Sequence, residues 1–215
     1  MDNEIILSDE FFIGMGARQK TFVHPLDPSK CVKIEYSDLP NDVAKELRYR
    51  RICAEHLKNS VLITKYFGTV QTNFGTGYVY ERVRDYDGNT SRDLGKFLHD
   101  ADIGKVSLQT AENVLLKFKE DFLRECIVTV DRNTANFMVQ EKSEGVYQVR
   151  IVDNIGTPVL IPLVYYFRFA AEWKSRRVWN WWVDDMSKNF PKVVHPALEK
   201  KIKRIITVIF NASSV

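Results

Sequence analysis

Two short apolar runs near residue 140 limit what this chain can become. Phe137 to Gln140 and Val149 to Val152 flank the polar turn E-K-S-E-G and read as a β-hairpin. Asp131 and Asn136 stand just before the first strand, and Asp153 just after the second. An antiparallel pair returns the chain to its starting end, so these three oxygen-bearing side chains are expected to converge at one rim. Hard cations are held by such groups. The same residues also suit ordinary turns, where their side chains would cap backbone N–H groups. This stretch alone leaves both readings open.

The rest of the chain sets the frame. Its 215 residues, 45% of them hydrophobic, suffice for one large domain or two small lobes and exclude the disordered class. With 31 basic against 28 acidic residues, the net charge of +3 is too balanced to argue for nucleic acid. Cys31, Cys53 and Cys126 form no C-x-x-C pair, which argues against a disulfide framework or a zinc site and fits a reducing, cytoplasmic setting. The four histidines share no ligand spacing. The N-terminus carries no secretory pattern, and the most apolar stretch, Pro158 to Ala171, is cut by Arg168 and too short to span a membrane.

In the N-terminal third, F-F-I-G-M-G, Q-K-T-F-V-H and K-C-V-K-I-E-Y read as three short strands. Gly14 and Gly16 lie between the first two. They suit either a backbone that points free N–H groups at an anion or a hairpin turn that needs positive φ. Lys33 is flanked by Val32 and Ile34, so its amine faces the opposite side of the strand and calls for an anionic partner. A helix is expected over residues 38 to 58, capped by Asn41 or Asp42. On it, Glu46 is the first choice to reach Lys33 and Glu55 the second, while Glu46 with Arg50 at i,i+4 is the plain alternative. Strands from Tyr66 and from Gly75, joined by N-F-G-T-G, complete five strands and one helix within 83 residues. A polar connector and helices follow, the longest from Ser107 to Cys126 with an apolar stripe through Leu115, Phe118 and Phe122.

This order of glycine turn, strand lysine, helix glutamate, connector, helices, Asp-x-x-x-x-Asn, hairpin and Asp-x-x-Gly resembles the protein-kinase-like fold. More narrowly, H-P-x-D-P-x-x-C-V-K-I, G-T-V-x-T-x-x-G-T-G-Y-V-Y and D-N-I-G-x-x-x-L-I-P-L are similar to the YrbL family of bacterial proteins, named for the PhoP regulatory network. The resemblance implies an α+β bilobal fold, with a five-stranded antiparallel lobe over residues 1–83 and a reduced helical lobe over 84–215. It implies an ATP site with Mg2+. Gly14, Gly16 and Arg18 would lie over the phosphates, Lys33 would contact them and pair with Glu46, and Tyr80, Glu81 and Val83 would form the hinge at adenine. Asp131 would be the catalytic base, with Asn136 and Asp153 on the metal.

The chain departs from protein kinases at Thr129-Val130, Asn133, Gln19 and Asn154, where they carry His-Arg, Lys, the third glycine and the D-F-G phenylalanine. Arg18 and Arg132 are the candidates to restore positive charge. No activation segment follows Gly156, so a small-molecule or sugar-type acceptor is expected rather than a peptide. The expected function is ATP-dependent phosphoryl transfer. The rival is a pseudokinase acting as a nucleotide-binding or regulatory module, which leaves room for a protein partner. Trp173, Trp179, Trp181 and Trp182, interleaved with Lys174, Arg176 and Arg177, suit helical core and docking surface better than a polyanion or membrane. A terminal amphipathic helix is expected from Pro196 to Phe210.

Overall fold

The computed structural model describes residues 4–16, 18–36, 42–158 and 162–203. The fold is mixed α+β. Strands β1 (Phe12–Met15), β2 (Gln19–Val23), β3 (Lys30–Glu35), β4 (Tyr66–Thr72) and β5 (Gly75–Glu81) form an antiparallel sheet in the order β1-β2-β3-β5-β4. The alternation of β3 decides its faces. Val32 and Ile34 join Ile5, Leu7 and Phe22 in one buried cluster, and Lys33 points to the other side. Gly77 pairs with Ile34 across the sheet, and a Cβ there would collide with Val32 Cγ1, so only glycine lets β5 lie against β3.

The helix expected over 38–58 breaks in two, α1 (Asp42–Ile52) and α2 (Ala54–Leu57); Asn41 lies outside the described residues. The connector contains a short strand, β6 (Arg92–Asp93), followed by α3 (Leu94–Asp102) and α4 (Leu108–Arg124). Asp93 caps α3 by accepting from the Lys96 N–H, and Ser107 caps α4 by accepting from the Thr110 N–H. The predicted hairpin forms and runs longer than expected, as β7 (Phe137–Ser143) and β8 (Val146–Ile151), with β6 as a third strand. Then come α5 (Leu163–Tyr166), α6 (Arg168–Asn189) and α7 (Pro196–Lys203); the rest of the expected terminal helix lies outside the described residues.

A second, larger core holds α3, α4, α6 and the hairpin together. Phe118, Phe122 and Phe137 pack around Trp182 at ring separations of 5.7, 4.6 and 4.7 Å. The four tryptophans therefore divide: Trp179 and Trp182 are buried, while Trp173 and Trp181 are exposed. Trp179 donates to the Ile202 carbonyl at 3.0 Å and fixes α7. No helix among the described residues is long and apolar enough to cross a membrane.

Candidate functional site

The hairpin and the five-stranded sheet face each other across a cleft of about 1310 Å³. Gly14, Gly16, Arg18, Lys33, Tyr80, Glu81, Val83, Asp131, Asn136 and Asp153 all line it. Glu46, alone among the residues expected at a site, does not.

On the hairpin side, the carboxylate of Asp131 is held by three amide donors. Its Oδ1 accepts from the Asn133 N–H at 2.8 Å, and its Oδ2 accepts from Asn136 Nδ2 at 2.9 Å and Asn154 Nδ2 at 2.6 Å. Its backbone is fixed as well, with the Asp131 carbonyl accepting from the Trp182 indole N–H at 2.8 Å. Thr129 Oγ1 accepts from the Asp131 N–H at 3.1 Å and donates to the Asn154 carbonyl at 2.7 Å, which ties the two loops of the hairpin rim together. Asn154 adopts φ +59°, a left-handed conformation that asparagine tolerates better than most residues. The side chain read in the sequence as a lost phenylalanine thus acts as a positioning group for Asp131.

On the sheet side, Lys33 reaches across. Its Nζ donates to the Val152 carbonyl at 2.6 Å, lies 3.6 Å from Asp153 Oδ1, and sits 4.9 Å from the centre of the Tyr80 ring. The expected Lys33–Glu46 pair is not formed. Glu46 is buried and accepts from Arg50 Nε at 2.8 Å, while Arg50 also donates to the Thr64 carbonyl at 2.8 Å and lies 5.5 Å from the centre of the Tyr80 ring. A short i,i+4 reach on the same helix wins over a reach between elements. Burial, with the Glu46 charge second, pushes the Tyr80 phenol far above its ordinary range.

Gly14 and Gly16 line the cleft at the antiparallel hairpin of β1 and β2, the turn reading of the two expected, though without its positive φ. The Gly16 N–H is already bonded to the Gln19 carbonyl at 2.9 Å. A Cβ at Gly14 would meet nothing within 4 Å, so that wall of the cleft is open. Gln19 is buried with its side-chain oxygen unpartnered among the described residues.

At the end of β5, Tyr80 contributes its ring, since its backbone is paired within the sheet between Cys31 and Tyr66. The Glu81 carboxylate is taken by Arg150 at 2.7 Å and by the Lys65 N–H at 3.1 Å. The Arg82 N–H goes to the Ser29 carbonyl, and the Val83 carbonyl accepts from Ser91. The Val83 N–H has no hydrogen-bond acceptor among the described residues. It is the one backbone donor of this segment left for a ligand.

No group of three or more histidine, cysteine, aspartate or glutamate side chains gathers as a metal site among the described residues. The oxygens expected on a cation are nevertheless uncommitted: neither Asn136 Oδ1 nor Asp153 Oδ2 makes a hydrogen bond among the described residues, the other atoms of both groups being engaged. One amide and one carboxylate oxygen suit a hard cation whose remaining ligands come from phosphate and water. The i,i+4 alternative, Glu46 with Arg50, is the pairing that forms, and it is buried rather than solvated; sequence reasoning missed Asn154 as a donor and Trp182 as an anchor. Only Asn154 carried a local signal, being an amide that faces a carboxylate across a short hairpin.

The model of the family described as PhoP regulatory network protein YrbL matches residues 5–187. The chain is 32% identical over 180 residues, 82% of this chain and 85% of the relative, to the Escherichia coli (strain K12) protein described as "Uncharacterized protein YrbL". A Shigella flexneri protein of the same description matches to the same extent. With the match running over most of its length and over most of theirs, this chain belongs to the PhoP regulatory network protein YrbL family.

Proposed function

We propose that this chain is a kinase-like, ATP-dependent phosphotransferase with a reduced bilobal architecture, acting on a small-molecule or sugar-type acceptor. The observation that carries the reading is the meeting of Lys33 with Asp153 at 3.6 Å in the cleft that also holds the amide-braced Asp131. Adenine would sit against Tyr80 and bond to the Val83 N–H, with Arg18 and the open wall at Gly14 over the phosphates. On nucleotide binding, Lys33 would exchange the Val152 carbonyl for phosphate oxygens. Asn136 and Asp153 would hold Mg2+, which when bound supplies positive charge against the phosphate chain. The acceptor hydroxyl oxygen then attacks the γ-phosphorus, its bond to the β–γ bridging oxygen breaks, ADP leaves, and the hydroxyl proton passes to Asp131.

One observation favours a second reading. Lys33 is tied to a carbonyl and Glu46 to Arg50, so the ion pair that orients the lysine in kinases is absent from this arrangement. That suits a nucleotide-binding module whose output is regulatory, a role in keeping with a family named for the PhoP regulatory network.

Thermal denaturation with ATP, with and without Mg2+, tests both. Ligand at one hundred times its dissociation constant adds about 2.7 kcal/mol, or roughly 5–11 °C in Tm for a chain of this size. A shift that needs Mg2+ is expected; its absence overturns both readings. If nucleotide binds, ADP release by the wild type against Asp131→Ala separates them, and equal rates remove Asp131 from the chemistry.

A further inference from the structure

Helix α6 presents a face that the phosphotransfer site does not use. Along it, Phe169, Trp173, Arg177 and Trp181 follow one another at i,i+4 spacing, and the three aromatic side chains are 73%, 61% and 37% exposed. The Arg177 guanidinium lies between the two indoles, 5.4 Å from the Trp173 ring and 4.7 Å from the Trp181 ring. Arg132, next to Asp131, approaches Trp181 at 5.8 Å, so the ladder runs from the cleft outward. Tyr166 and Phe167 extend the exposed aromatic surface at its far end. The opposite face of α6, with Ala171, Ser175, Val178, Trp179 and Trp182, is buried in the core.

The helix carries more bases than acids. Helix α6 holds five bases, Arg168, Lys174, Arg176, Arg177 and Lys188, against three acids, Glu172, Asp184 and Asp185, a net of +2. Each acid of the helix is matched by a base, Glu172 by Arg168, Asp184 by Lys203 and Asp185 by Arg132, so Lys174, Arg176 and Arg177 set the field around the ladder.

We infer that this Trp–Arg–Trp ladder is a docking surface for an acidic segment of a partner protein that carries an aromatic anchor. Exposed tryptophan and arginine are the side chains that dominate protein–protein binding energy, and here they are held in order before any partner arrives. A guanidinium held close to two indole rings by its charge still presents planar N–H groups that can grip a carboxylate through two bonds. A membrane fits less well. Helices that lie in the lipid interface separate aromatic from basic faces, whereas here the two are interleaved. Sinking Trp173 and Trp181 into acyl chains would take Arg177 with them, a charge that lipid penalises. The inference does not depend on phosphotransfer.

The experiment is a selection from a random peptide display library on the full chain, with Trp173→Ala/Arg177→Glu as counter-target, followed by binding of the selected peptides in solution. Both positions are exposed, and an unchanged Tm in the variant confirms that it is folded. Expected are sequences rich in Asp and Glu around a Trp, Phe or Tyr, whose affinity drops roughly tenfold or more in the variant, as for a truncated hot spot. Arg177→Lys, which keeps charge but loses the planar fork, should lose most of the affinity. The inference is overturned if no sequence is enriched over the counter-target, if the enriched sequences are basic or uncharged, or if Arg177→Lys binds as wild type. Sedimentation with phosphatidylserine vesicles gives the remaining decisive outcome: ladder-dependent vesicle binding in place of peptide binding would assign the face to a membrane.

Discussion

The competition for Glu46 can be measured directly. The carboxylate is buried, its bond to Arg50 Nε is 2.8 Å, and Arg50 is itself largely shielded and bonded to the Thr64 carbonyl. Arg50→Met leaves a buried carboxylate without a partner, and breaking a buried pair in this way costs about 3–5 kcal/mol. Some water reaches Arg50, which places the expected loss near the lower end, about 3 kcal/mol, or roughly 6–12 °C in Tm. Lys33→Met is milder. Asp153, the acid it abandons, is 27% exposed in its side chain and can be rehydrated, so a loss of about 1 kcal/mol is expected. Urea denaturation of two double-mutant cycles separates the pairings. Glu46→Gln with Arg50→Met should show a coupling of about 1.5–3 kcal/mol, the range of a charged hydrogen bond. Glu46→Gln with Lys33→Met should add to within about 0.5 kcal/mol, as for groups that do not touch. A larger coupling of Glu46 to Lys33 than to Arg50 would refute the argument. Repeating the second cycle in saturating MgATP asks whether nucleotide draws the lysine and the glutamate together.

Gly156 has φ +91°, and an added Cβ would lie 2.9 Å from Tyr165 Oη and 3.0 Å from Tyr49 Cβ. Strained backbone and overpacking together should make Gly156→Ala lose about 2–5 kcal/mol in urea denaturation, and a loss under about 1 kcal/mol would contradict the crowding. Cys31, Cys53 and Cys126 are buried free thiols, all pushed up by burial, Cys53 to about 11. Ellman's reagent at pH 8 should therefore label none of them in the folded chain and all three after unfolding; rapid labelling of the native protein would show that the thiols are accessible. The Ser29 hydroxyl, with Lys30 second, lowers the Asp27 carboxyl from 3.8 to about 2. Because the folded value is depressed, its contribution to stability is full above pH 3.8 and disappears as pH falls through about 2. An NMR titration midpoint for Asp27 at or above 3.8 would contradict that.

What the sequence determined here are features carried by neighbouring residues. The period-two alternation around Lys33 placed its amine opposite Val32 and Ile34, the five strands formed an antiparallel sheet, and the turn E-K-S-E-G between two apolar runs formed a hairpin. These rest on backbone geometry and on which face is apolar, both written within a few residues. Tertiary structure decided the partners. Glu46 had two cations within reach on paper, and the helix placed Arg50 closer than the sheet placed Lys33. Asn154 read as the loss of a phenylalanine until the fold brought it to Asp131 from 23 residues away, and Trp182 braces the same loop from 51 residues away. The tryptophan cluster read as one feature, but helix rotation sent Trp179 and Trp182 into the core and left Trp173 and Trp181 outside around Arg177. Local pattern fixes the direction of a side chain; which of several chemically suitable groups it meets depends on distances that exist only once distant segments have packed.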